Sequence, residues 1–187
     1  MRFIALAAGL VALASAAAID SSTSHNCGPQ PAGKDFKLQV VDTSGSLDSG
    51  DFLQSYHTGA GLNALVTTSN QSAALTFSYN STSSDVILSP HIQGYKYPYT
   101  LACYDATQYS APKGYGTVSF NITDSGSPVT FDRNNYMRFP GHNHKTFAVC
   151  PKVIYVGGVY IDTLVWRDAN VKTNETCSDV KVKAVPI

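Results

Sequence analysis

Charge is scarce in this 187-residue chain: 13 Lys+Arg and 13 Asp+Glu make up 14% of it and cancel to a formal charge of zero. Soluble domains usually carry about 25% charged residues. So weak a field offers nothing to a phosphate backbone, which excludes nucleic acid as a partner. Glutamate is nearly missing, because Glu175 is the one Glu among 13 acids and the other twelve are Asp. Any mechanism resting on a Glu pair is thereby excluded. No Cys-x-x-Cys spacing of a zinc site occurs. The Gly-x-Ser-x-Gly elbow and the His-Glu-x-x-His helix are absent as well. These absences leave no catalytic residue, metal ligand or cofactor to assign.

Long apolar runs are confined to the start. Arg2 precedes an apolar stretch from Phe3 to Ala14, followed by the small-x-small sites Ala14-Ser15-Ala16 and Ala16-Ala17-Ala18. That order predicts a secretory signal peptide over residues 1–18. The run is too short for a membrane span, which needs about 20 apolar residues. A secreted, extracellular protein with no membrane association after cleavage is expected. Residues 19–34 read as a polar lead-in and 35–187 as one domain, since this length holds a single core.

Secretion gives meaning to the cysteines. Cys27, Cys103, Cys150 and Cys177 form an even set, and two disulfides are expected in an oxidising route. Of the three possible pairings, the reading favours Cys150–Cys177 together with Cys27–Cys103. Asn70, Asn80, Asn121 and Asn174 each open an Asn-x-Ser/Thr sequon and are candidate N-glycan acceptors. Asn80 and Asn174 lie in turn-like stretches. Asn121 falls between Phe120 and Ile122, so its side chain is expected to face outward.

The rest of the chain reads as short strands between turns. Phe36 to Val40 and Gly116 to Thr123 alternate apolar and polar residues. Further runs are Phe52–His57, Leu62–Thr67, Ala74–Tyr79, Asp85–Leu88, Tyr97–Tyr104, Pro128–Phe131, Tyr136–Phe139, Phe147–Cys150, Val159–Trp166 and Val180–Val185. No stretch sustains a helical apolar period, though Asp51–Tyr56 and Ala60–Leu65 could each hold a short helix. The pattern predicts an all-β, single-domain antiparallel β-sandwich or a barrel-like variant of it.

Phe36-x-Leu38-x-Val40 followed by Phe52-Leu53-x-x-Tyr56-His57-x-Gly59-Ala60-Gly61 resembles small secreted β-rich proteins of filamentous ascomycete fungi. The resemblance implies a secreted β-sandwich-like domain and carries over no active-site residues.

Three constellations invite chemistry. Asp48-Ser49-Gly50 and Asp124-Ser125-Gly126 look like paired aspartic-protease turns, but Asp-Ser-Gly is also a common turn and the chain is short for a two-lobed protease. His142-Asn143-His144 lacks the nearby carboxylate a cupin metal site needs. Tyr95, Tyr97 and Tyr99 alternate, so an extended backbone would line them on one face, suited to stacking on sugar rings. The expected function is therefore surface binding by an extracellular glycoprotein, to cell-wall polysaccharide or to a foreign extracellular protein. The alternatives are a secreted hydrolase with an Asp/His-based site, and an effector or antigen without a small-molecule pocket.

Overall fold

Phe36, Leu38 and Val40 are buried while Lys37 and Gln39 between them are partly exposed, the two-residue period of a strand with one face turned to the core. The computed structural model describes residues 35–43, 50–59, 62–89, 99–105, 114–123, 126–140, 145–156, 159–172 and 176–187. The expected signal peptide (1–18) and lead-in (19–34) lie outside the described residues, as do Cys27, Tyr95, Tyr97 and Asn174.

Twelve strands follow in order: β1 (Phe36–Asp42), β2 (Phe52–Gly59), β3 (Leu62–Thr68), β4 (Thr76–Asn80), β5 (Asp85–Ser89), β6 (Tyr99–Asp105), β7 (Tyr115–Ile122), β8 (Thr130–Phe131), β9 (Met137–Arg138), β10 (Lys145–Val156), β11 (Val159–Asp168) and β12 (Ser178–Pro186). One 3-10 turn, Gln71–Ala73, is the sole helical element among the described residues. In both segments that could have been helical, the described residues from Phe52 to Tyr56 and from Leu62 to Leu65 are in strands instead. Tyr56 pairs with Ala64 and Leu53 with Thr67 across the β2–β3 hairpin, and tertiary pairing overrides local preference there.

Every pairing is antiparallel. Ten strands join in the order β10-β12-β1-β2-β3-β11-β7-β6-β5-β4, and β8–β9 form a separate hairpin. Additional pairings β10–β11, β1–β4 and β3–β7 bring the sheet round on itself. The architecture is thus the barrel-like variant of the expected fold, in which closure removes the free edges a sandwich retains.

The inward faces fill the interior with aromatics. Phe36 meets Phe131 edge-on at 5.7 Å, Tyr79 meets Phe131 at 5.3 Å, and Phe77 stacks on Phe120 at 5.0 Å. The Tyr79 hydroxyl, buried with them, donates to the Val129 carbonyl at 2.9 Å, so its polar tip is not stranded. A smaller cluster lies on the opposite face of β10 and β11, where Ala148, Cys150 and Val165 pack with Tyr115 and Cys177. Val171 and Cys177, between β11 and β12, pack on that face. Gly114, at φ +83°, lets Val171 approach so closely that a Cβ there would sit 2.6 Å from its Cγ2.

β10 runs well past the expected end at Cys150. The ladder pairs Cys150 with Thr163, then resumes at Ile154 with Ile161 after a register shift. Pro151 falls in that gap, where no amide hydrogen is required, so the strand continues through a bulge.

Candidate functional site

The candidates read from sequence separate in space. Cys150 and Cys177 form the expected disulfide. Cys27, the expected partner of Cys103, lies outside the described residues, and Cys103 is a free thiol on β6. Its surroundings are already occupied, because Ser127 Oγ accepts from the Cys103 amide at 2.8 Å and the Ser127 amide donates to the Leu101 carbonyl at 2.9 Å. Burial pushes the Cys103 thiol up to about 12, more than Ser127 and Lys145 pull it down.

Asn121 corrects a second expectation. Its side chain does turn away from Phe120, but β7 is covered on both faces and Asn121 is only 5% exposed. Ser119 Oγ donates to its Oδ1 at 3.3 Å. Asn70 and Asn80 are exposed. Each turns back on its own sequon: Asn70 Oδ1 accepts from the Ser72 amide and hydroxyl at 3.0 and 2.6 Å, and Asn80 Oδ1 from the Thr82 amide at 3.0 Å.

Tyr99 opens β6 and packs, partly buried, against the main core. Asp48, Asp124, His142 and His144 lie outside the described residues. What is described of the second Asp-Ser-Gly turn is structural: the Gly126 amide donates to buried Asp85 at 3.2 Å. A Cβ at Gly126 would lie 2.5 Å from the Leu101 carbonyl, so the turn needs a glycine.

A concave site forms elsewhere, from residues with no sequence signature. β12 is paired along one side with β1 from Val180 to Pro186. On its other side, Ser178 to Val180 pair with β10, and Lys183 bridges to Tyr136. Lys181 and Val182 lie between these two partners, and the gap opens a groove of about 360 Å³. One wall is Tyr136 to Phe139, the other Lys145 to Phe147, with Val180 and Lys181 from β12 and Thr43 completing it. Phe139 and Phe147, 4.8 Å apart, are buried core rings that give the groove an apolar base.

Asp132 holds the first wall in shape. Its Oδ1 accepts from the Asn134 and Tyr136 amides at 2.9 and 3.0 Å, while Arg138 Nε and Nη2 donate to Oδ2 at 3.1 and 2.8 Å. Asn135, at φ +63°, takes the left-handed position asparagine tolerates, and its carbonyl accepts from the Ala184 amide at 2.9 Å. Partial burial alone would raise the Asp132 carboxyl. The Tyr136 amide and Arg138, with Asn134, outweigh it and hold the group below its ordinary value.

Cations surround the groove. Lys145 Nζ lies 4.1 Å from the centre of the Trp166 ring, and Lys181 and Lys183 lie 5.5 and 5.9 Å from that of Tyr136. These ammonium groups rest on aromatic faces rather than on carboxylates. Arg167, by contrast, is a closed structural unit: its guanidinium is held by Asp179 at 2.7 and 2.5 Å and by the Asp168 and Val171 carbonyls at 3.1 and 2.7 Å. No group of three or more His, Cys, Asp or Glu side chains placed to hold a metal occurs among the described residues.

Comparison with known proteins gives a family and no activity. No curated protein and no solved structure shows significant similarity to the chain. Residues 33–186, which take in every strand of the barrel, match the profile of a domain of unknown function, DUF7907, and the chain belongs to that family.

Proposed function

We propose that this is a secreted extracellular glycoprotein that acts by surface binding, with carbohydrate as its ligand class and the groove beside β9 and β10 as the contact site. The observation that carries the reading is the groove's composition: a half-buried Tyr136 ring, ammonium and guanidinium donors, and an apolar base. A sugar ring offers an apolar C–H face and a rim of hydroxyls, and an aromatic ring beside long-armed donors complements both. The Cys150–Cys177 bridge supports an oxidising compartment. Exposed Asn70 and Asn80, each turned on its own sequon, support glycosylation.

The test is co-sedimentation of the secreted, processed protein with insoluble chitin, β-glucan, cellulose and de-esterified pectin. Retention on at least one matrix, reduced by Tyr136→Ala without loss of thermal stability, is expected. Failure to sediment with any of the four would overturn the carbohydrate reading.

A further inference from the structure

Resting on that surface-binding reading, we infer that the groove selects an acidic saccharide, a chain of sugar rings bearing carboxylates such as uronate units. The argument begins from charge. The whole chain is neutral, yet Arg138, Lys145 and Lys181 line one groove, and Lys183 shares the Tyr136 ring with Lys181. Of the four, only Arg138 has a carboxylate partner among the described residues, Asp132. The three ammonium groups are left on ring faces, which hold a cation without neutralising it. Like charges gathered this closely in an otherwise balanced protein are relieved by a bound anion.

The shape decides what kind of anion. An acidic peptide added as a strand needs several residues of open sheet edge. Here β12 offers only Lys181 and Val182 between its pairings to β10 and to Tyr136. A two-residue notch cannot continue a ladder. A membrane surface is flat, whereas these cations stand around a concave space of about 360 Å³. A carboxylated sugar ring fits both facts: its ring face meets Tyr136 and its carboxylate meets the free ammonium groups.

Polygalacturonate, the same polymer fully methyl-esterified, and poly-glutamate are titrated into the processed protein by calorimetry. Polygalacturonate is expected to bind, with affinity falling as salt is raised. Lys145→Gln and Lys181→Gln should each weaken it about tenfold, the scale of one charge-assisted hydrogen bond. Lys172→Gln, an exposed cation outside the groove, should leave it unchanged, and all three variants should melt as the parent does. Equal binding of the esterified polymer would overturn the acidic-ligand inference while leaving the carbohydrate reading intact. Equal binding of poly-glutamate would overturn it in favour of an acidic protein partner. Binding of neither polygalacturonate form would overturn it too, and the four-matrix sedimentation then decides separately whether any carbohydrate is bound.

Discussion

Breaking the Cys150–Cys177 bridge tests how the smaller cluster is held against β10. The bridge joins residues 27 positions apart, and closing a loop of that length in the unfolded chain contributes about 3.5 kcal/mol to stability by chain entropy. A domain of this size loses roughly 2–4 °C in Tm for each kcal/mol, so a fall of about 7–14 °C is expected. Two measurements separate the cross-link from the packing. Reduction of the parent protein removes the bond and keeps both sulfur atoms in place. Cys150→Ala/Cys177→Ala also removes sulfurs that are 1% and 8% exposed, so it should fall a further few degrees. Differential scanning calorimetry reads both, and hydrogen exchange should show the loss centred on the β11–β12 connection. If the reduced parent melts within about 2 °C of the oxidised one, the bridge does not restrict the unfolded chain. The buried contacts of Tyr115, Val165 and Val171 would then hold that face alone.

Arg167→Met should destabilise by about 3–5 kcal/mol, because Asp179 and two carbonyls lose the guanidinium that satisfies them; urea unfolding measures it, and a loss under 1 kcal/mol would mean the network is replaceable. Cys103, with its thiol at about 12, should be about a thousandfold less thiolate at pH 8 than an ordinary cysteine. Mass-mapped iodoacetamide labelling of the native protein should therefore miss it, and rapid native labelling at that position would refute the burial. Asp132 titrates lower folded than unfolded, so the folded state binds fewer protons and its stabilisation is present above the unfolded carboxylate value near about 4. It is lost as pH falls from there through the depressed folded value. Melting followed from pH 5 downward should fall more steeply for the parent than for Asp132→Asn, and parallel curves would rule this linkage out.

The strand pattern was legible because burial alternates where one face is wet. Phe36, Leu38 and Val40 against Lys37 and Gln39 marked β1, and Lys181 and Lys183 against Val180, Val182 and Ala184 marked β12. The same rule misjudged Asn121, since periodicity reports which face a residue shares and not whether another layer covers that face. The end of β10 was hidden by Pro151, which reads as a stop but sits where a bulge releases its neighbour from the ladder. The pairing of Cys103 with Cys27 rested on parity of cysteines, a count blind to what surrounds each sulfur, and Cys27 lies outside the described residues. The groove was least legible. Tyr136 just before β9, Lys145 at the start of β10 and Lys181 on the distant β12 meet only through the fold, and no spacing rule joins them. The one available signal was Lys181-x-Lys183, a pair of cations on the outward face of a strand, which alternation alone assigns to solvent.

The full-length register between β1 and β12, from Phe36 with Pro186 to Asp42 with Val180, also governs when the molecule can exist. Among the described strands the first made has its main partner in the last, so a piece of the chain ending before β12 leaves this pairing unmade. Contacts this distant place a large loop-closure cost before their reward. Assembly should therefore be late, slow and all at once, with the final strand acting as the clasp. A chain cut just before Ser178 would lose the clasp, and with it Val180 and Lys181 of the groove.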